Sequence, residues 1–411
     1  MLSISENSYH VLAKPTGSMC NLGCQYCFFL EKEHLYPGSQ FRMPDDLLET
    51  YLRQLLESQK TPEVVVGWQG GEPTLMGLEF FQRSVALVEK FKKPSQHVTY
   101  TLQTNATLLD DDWCRFFSQH NFLIGLSVDG PQNMHDAYRV DKHGRGTFAR
   151  VLRGWQFLQK HQVDFNVLCT IHAGNENNPL EVYRFLRDDL KAEYIQFIPI
   201  VEQKERDELP RTQDRTDVTD FSVRSKQFGR FLIAIFDEWA RHDVGKMFVQ
   251  HFDAALANWL GMPPVLCIFS KDCGHALALE HNGDLYSCDH FVEPDHRLGN
   301  IRETPMVELV GSENQRLFGQ FKSESLPQYC RKCAVRFACH GGCPKNRFIK
   351  TPAGQPGLNY LCAGYRTFFS HINRTMGLMA DLLRKGRYAD EVMSILAMEE
   401  KPKSALDAFG S

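Results

Sequence analysis

The sequence is short of everything that would place a protein in or on a membrane. No apolar run approaches the ~18 residues a spanning helix needs. The opening stretch, MLSISENSYHVLAKP, has no basic region followed by an apolar one, so no secretory signal is read there. Charge of one sign is also missing: 46 Lys and Arg face 50 Asp and Glu, a formal net charge of −4. Such a balance points to neither nucleic acid nor a membrane surface as partner. Repeats and low-complexity tracts are absent too. A cytoplasmic protein is therefore expected.

Cysteine, by contrast, is plentiful. Thirteen stand among the 411 residues. An odd number without an export signal argues against a disulfide framework. Reduced thiols in the cytosol are more often kept for metal binding or catalysis. The remaining composition, 43% hydrophobic and 23% charged, is that of an ordinary globular chain. Its length suits two or three domains, or one large barrel with an appendage.

The first half alternates strand and helix patterns. Strand-like runs fall at 9–15, 63–70, 97–105, 122–130, 165–171 and 194–201. Between them lie helix-period segments at 44–59, 78–93, 109–120, 147–161 and 179–190. In the first, Leu47, Leu48, Tyr51, Leu52, Leu55 and Leu56 share one face behind Pro44 and two aspartates. Six strands alternating with helices predict an α/β fold with a parallel sheet, open or curled toward a barrel. Active sites of such sheets sit at the C-terminal strand ends. From about residue 202 the pattern breaks into a polar linker. Helices are expected near 223–243 and 252–261, then a cysteine-dense region, a helix near 365–386 and a polar tail.

Cys20, Cys24 and Cys27 form C-x3-C-x2-C directly after the first strand. A closed zinc site wants four ligands and a disulfide two. Three thiolates suit an iron–sulfur cube with one iron left open to a small molecule; a zinc loop borrowing a distant ligand is the plainer alternative. The spacing, with Tyr26 before the last cysteine, resembles the radical S-adenosylmethionine (SAM) superfamily, in which SAM chelates the open iron. GGEP at 70–73 and LSVDGP at 126–131 end the second and fourth strands. Alone, these would read as a glycine turn and a capped helix start.

Eight further cysteines are Cys267, Cys273, Cys288, Cys330, Cys333, Cys339, Cys343 and Cys362. CRKCAVRFACHGGC looks like a zinc ribbon or a ferredoxin-like site. Cys114 and Cys169 are left over and read as inert core thiols. Asn282-Gly283 within ALALEHNGDLYSCDHF signals a hairpin, which makes these residues turn chemistry.

The ordered set KPTGSMCNLGCQYCFFLE, WQGGEPTLMGLEFF, LQTNATLLDDDWCRFF, FLIGLSVDGP, NGDLYSCDHF, RLGNI and CHGGCPK resembles the anaerobic sulfatase-maturating enzymes over nearly the whole chain. These are radical SAM enzymes with a SPASM extension, and they oxidise a cysteine or serine of a sulfatase motif to Cα-formylglycine. The resemblance implies a partial (β/α)6 barrel over 1–222, a helical connector over 223–262, a cysteine-rich α+β iron–sulfur domain over 263–364, and a C-terminal helix and tail over 365–411. It implies three [4Fe–4S] clusters and SAM. Cys20, Cys24 and Cys27 would hold the SAM-binding cluster. Cys267, Cys273, Cys288 and Cys343 would hold one auxiliary cluster; Cys330, Cys333, Cys339 and Cys362 would hold the other. Tyr26, Gly71, Ser127, Arg139 and Val201 would contact SAM, and Gln69 the substrate. Asp289 would be the catalytic base. The implied partners are an unfolded or nascent sulfatase polypeptide and an electron donor such as flavodoxin or ferredoxin. Where relatives often have CFY after the third cysteine, this chain has CFF, which leaves Phe29 a stacking face for adenine without a hydroxyl. The runner-up reading is a SPASM enzyme acting on another, ribosomally made peptide.

Overall fold

A computed structural model describes residues 9–204 and 218–400. Most of the expected polar linker lies outside them. The strands are β1 (His10–Lys14), β2 (Glu63–Trp68), β3 (His97–Thr104), β4 (Phe122–Ser127), β5 (Phe165–Ile171), β6 (Tyr194–Pro199), β7 (Phe248–Val249), β8 (Ala276–Glu280), β9 (Asp284–Tyr286) and β10 (Arg297–Asn300). They form one sheet in the order β10-β9-β8-β1-β2-β3-β4-β5-β6-β7. β1 to β6 pair in parallel in chain order. Among the described residues, nothing joins β10 to β7, so the sheet does not close.

The sequence explains these elements locally. β2 reads EVVVGW, and its last three residues are all buried, as parallel strands covered on both faces require. The helix Asp45–Ser58 buries the six apolar residues that share one face, with Asp45 and Asp46 at its positive end. Asp110 caps the helix Asp111–Gln119 by accepting from the backbone N–H of Asp112 and Trp113, each at 3.0 Å. At the expected hairpin, the Asp284 N–H donates to Asn282 Oδ1 at 3.1 Å.

Three features depart from expectation. The helix expected over 179–190 is α-helical only over Pro179–Arg184 and widens to a π turn at Phe185–Asp189. The tail carries a helix, Glu391–Glu400, whose Val392 and Leu396 are buried. The cysteine-rich region is not separate from the sheet: β8 pairs in parallel with β1 over five residues, His10–Ala276 to Lys14–Glu280. The expected boundary between 262 and 263 therefore divides two parts that share one sheet. Among the described residues, no helix is long and apolar enough to cross a membrane.

Two long helices, Ser225–His242 and Cys362–Arg384, cross where glycine faces glycine. A Cβ on Gly364 would lie 2.1 Å from the Ser225 carbonyl oxygen, and one on Gly229 2.6 Å from the Gly364 oxygen. The crossing fixes the start of the helix that carries Cys362. Gly364→Ala should force the helices apart and cost roughly 1–3 kcal/mol, as overpacking does. Thermal unfolding of the purified variant would read this as a lowered Tm.

Candidate active site

The loop after β1 is held by backbone contacts on two sides. Gly23 donates to the Val140 oxygen at 2.9 Å, and Gln25 to the Tyr138 oxygen at 3.0 Å. From the β2 end, Gly71 donates to the Gly17 oxygen at 2.8 Å and Glu72 to the Met19 oxygen at 2.9 Å. A Cβ on Gly71 would sit 2.0 Å from the Met19 oxygen. Glycine is thus needed so that the two loops can touch.

Glu72 turns away from that loop. Its carboxylate accepts from the Thr74 hydroxyl at 2.7 Å, the Thr104 hydroxyl at 2.8 Å and the Asn105 N–H at 2.8 Å. It ties the ends of β2 and β3 together. Asn105 in turn donates toward Cys20 Sγ at 3.7 Å.

Beneath the loop lies a buried polar knot centred on Asp129. Its carboxylate accepts from the Tyr26 hydroxyl, from Arg139 Nε at 2.8 Å and from the Thr170 N–H at 2.9 Å. The His172 ring stacks on Tyr26 at 5.6 Å. Burial works to raise the Asp129 pKa, but Arg139 and His172 pull it well below the ordinary carboxylate range. Arg139 is thus anchored by a carboxylate that the sequence reading passed over. Ser127 Oγ accepts from Gln103 Nε2 at 2.9 Å. Gln69 Oε1 is buried with no partner among the described residues, and Val201 is buried just past β6.

Asp289 follows Cys288 and forms an ion pair with Lys14, which is 1% exposed. Burial opposes the ionised carboxylate, yet Lys14, His290 and Lys345 hold its pKa below the ordinary value. Lys14 also sits over the Phe29 ring, 3.5 Å from its centre. That face of Phe29, expected to stack on adenine, carries an ammonium group instead. Nothing local in YHVLAKP marks Lys14, because its partner is 275 residues away.

The remaining thiols gather in sets. Cys267, Cys273, Cys288 and Cys343 feel one another's charge, as do Cys330, Cys333, Cys339 and Cys362. Cys20, Cys24 and Cys27 form the third set. Burial is the largest influence and pushes Cys24 and Cys362 up to about 11 and Cys20, Cys273 and Cys339 up to about 12. Fully buried Lys322 faces one set, donating to the Ser270 oxygen at 2.6 Å. Arg347 lies between both four-thiol sets. Buried cations beside thiols favour the ionised thiolate. Among the described residues, no three His, Cys, Asp or Glu side chains are arranged to hold a single metal ion. All-sulfur donor sets with buried cations suit iron–sulfur clusters. Cys114 and Cys169 are fully buried in the core.

A strand-end thiol triad on a parallel sheet, followed by a cysteine-rich hairpin region, defines a class. The sequence profile of the radical SAM superfamily matches residues 15–187, and that of the SPASM iron–sulfur cluster-binding domain matches 272–334. The chain is 43% identical to a serine-type anaerobic sulfatase-maturating enzyme of Bacteroides thetaiotaomicron, over 94% of this chain and 95% of that one. It is 32% identical to a cysteine-type enzyme of Clostridium perfringens, over 88% and 95%. The solved structure of native anSMEcpe with bound AdoMet and Cp18Cys peptide superposes with a TM-score of 0.80 at 30% identity, covering 92% of this chain and 100% of that one. Streptococcus suis SuiB bound to S-adenosylmethionine shares the fold, with a TM-score of 0.57 at 14% identity over 86% of this chain and 75% of that one. The protein is a radical SAM enzyme with a SPASM region. It belongs to the anaerobic sulfatase-maturating enzyme family.

Removing the charge at the centre of the polar knot tests its weight. Asp129→Asn strands the buried Arg139 cation and should cost roughly 3–5 kcal/mol, read as a lower urea midpoint. Because the folded carboxyl titrates far below its ordinary value, its contribution is present at neutral pH and is lost only as pH falls into the acid range.

Proposed function

We propose that the enzyme oxidises a serine or cysteine side chain in a sulfatase active-site motif to Cα-formylglycine. The observation that carries this reading is the likeness to the Bacteroides thetaiotaomicron serine-type enzyme along 94% of the chain. The relatives of higher identity are serine-type, so serine is the first substrate to test. The substrate would enter as an unfolded or nascent polypeptide. The barrel would span 1–222, the connector 223–262, the SPASM-type domain 263–364 and the C-terminal helix and tail 365–411.

In this reading three [4Fe–4S] clusters are held by Cys20, Cys24 and Cys27; by Cys267, Cys273, Cys288 and Cys343; and by Cys330, Cys333, Cys339 and Cys362. When bound, the clusters and SAM supply a 5′-deoxyadenosyl radical that removes a Cβ hydrogen atom, and an acceptor for the electron that follows. For serine, atoms balance when the hydroxyl also gives up one proton, leaving the aldehyde; cysteine in the same way gives a thioaldehyde, which water hydrolyses to the aldehyde with loss of hydrogen sulfide. Asp289 takes that proton. Its ion pair with Lys14 keeps the carboxylate ionised and fixes its direction. The pair stays ready because Lys14 is sealed from water by burial.

Tyr26, Gly71, Ser127, Arg139 and Val201 line the region given to SAM. Arg139, anchored on Asp129 through Nε, keeps its remaining guanidinium donors for a carboxylate. The Gln69 oxygen, which has no partner among the described residues, is placed to accept a hydrogen bond from the substrate peptide.

The test is anaerobic turnover of reconstituted protein with SAM, a reductant and a peptide with a Ser-x-Pro-x-Arg core, beside its cysteine twin. Mass spectrometry should find an aldehyde formed in step with 5′-deoxyadenosine. In Asp289→Asn the aldehyde should fall ~100-fold or more, the usual worth of a positioned base, while deoxyadenosine still forms. Deoxyadenosine with no aldehyde from the unaltered enzyme would move the substrate to another peptide.

A further inference from the structure

The helix Glu313–Glu324 turns a polar face inward. Its buried residues are Gln315, Gly319 and Lys322, one turn apart along one side. A surface helix ordinarily buries apolar side chains there. Each of the three meets the main chain of loops that carry one thiol set. Gln315 Nε2 donates to the Gly274 oxygen at 2.9 Å and the Ser287 oxygen at 3.1 Å, next to Cys273 and Cys288. The Gly319 oxygen accepts from the Cys273 N–H at 3.1 Å, and a Cβ on Gly319 would lie 2.7 Å from the Cys273 oxygen. Lys322 Nζ donates to the oxygens of Cys267, Ile268 and Ser270. The helix bears no thiol, yet it clamps the backbone around Cys267, Cys273 and Cys288.

Lys322 is the costly member of this face, because its ammonium group is fully buried. Its three donors end on main-chain oxygens, which satisfy the hydrogen bonds and bring no net charge. Among the described residues no carboxylate pairs with it. Asp272, beside the same turn, accepts from the Ser323 hydroxyl at 2.6 Å instead. A buried charge without a counter-charge is expensive, and a neutral side chain of similar size would avoid that cost. The thiols that Lys322 feels are Cys267, Cys273 and Cys343, all of one set. Arg347 feels Cys273 and Cys343 of that set and Cys330 and Cys339 of the other, so it favours neither. Arg366, near Cys362, is exposed and screened by water. Of these three cations, Lys322 alone is both fully buried and confined to one set.

We propose that Lys322 is the counter-ion of the cluster held by Cys267, Cys273, Cys288 and Cys343, and that it raises the reduction potential of that cluster and not of its neighbour. This rests on the cluster assignment of the proposed function. An iron–sulfur cube on four thiolates is a net anion, and reduction adds one more negative charge. A cation fixed in a low-dielectric pocket stabilises the reduced form more than the oxidised one. Of the two auxiliary clusters, the one beside Lys322 is then the better acceptor. The substrate radical loses one electron as that cluster gains one, and no bond forms or breaks at the cluster.

The test uses iron-loaded enzyme carrying Cys20→Ala/Cys24→Ala/Cys27→Ala, which removes the SAM-binding cluster and leaves the two auxiliary ones. A redox titration followed by electron paramagnetic resonance reads two midpoints. Lys322→Gln keeps donors for the carbonyls and removes the charge. One midpoint should fall, so that at a fixed poise the reduced-to-oxidised ratio of that cluster drops ~10-fold or more, a shift of about 59 mV or more for one electron. The other midpoint should stay where it was. Lys322→Met should match Lys322→Gln, and Lys322→Arg should hold the original value. Loss of one cluster's iron from both neutral variants, with Lys322→Arg fully loaded, would show the same counter-charge through binding. Two unmoved midpoints in loaded Lys322→Gln would overturn the proposal. So would two midpoints that fall together, or a Lys322→Arg variant that falls as far as Lys322→Gln, since either makes the residue a structural clamp only. Iron analysis separates the layers: a background enzyme that binds less than two clusters' iron would overturn the cluster assignment itself.

Discussion

Parallel pairing of β1 with β8 holds the chemistry of both halves of the chain on one frame. β1 leads into the three-cysteine loop, and the hairpin begun by β8 leads into Cys288 and Asp289. The ladder runs in register from His10 opposite Ala276 to Lys14 opposite Glu280. A slip of one residue would reverse which face each side chain occupies. Lys14 would then leave Asp289 and Phe29, and a buried carboxylate beside Cys288 would stand unpaired. A backbone register thus decides an electrostatic contact made 275 residues apart.

The same economy governs the other buried charges. Asp129, Glu72, Lys14 and Lys322 are all sealed from water. Each is costly to bury alone and tolerable with partners. Each joins segments that the sheet only brings near: Asp129 connects the loop, β5 and the segment after β4, while Glu72 connects the ends of β2 and β3. The site is in this sense held rigid by satisfied polar groups, which suits chemistry that needs reacting atoms held in place.

Much of this could be read from the residues. Strands β1 to β6 were marked by runs rich in β-branched and aromatic residues, and the helix over 44–59 by its apolar face. The thiols announced themselves by number and spacing. What escaped was of two kinds. Lys14, Asp129 and Lys322 look like ordinary polar residues in a strand, a turn and a helix, because their roles depend on partners far along the chain. The joining of β8 to β1 was hidden for the same reason. The helix Glu391–Glu400 was a different matter. Val392, Ile395 and Leu396 show its period in EVMSILAMEE, and reading the segment as a polar tail overlooked that signal.

The shared sheet also removes a mechanical freedom. Modules joined by a linker can swing, and their separation then varies from moment to moment. Here the cysteine-rich region is stitched to the barrel by main-chain hydrogen bonds along five residues. Opening a gap between them would mean tearing a buried ladder. The junction is thus a ladder and not a linker, and under the proposed function the distance an electron would cross from the reacting carbon to the cysteine-rich region is set by the backbone.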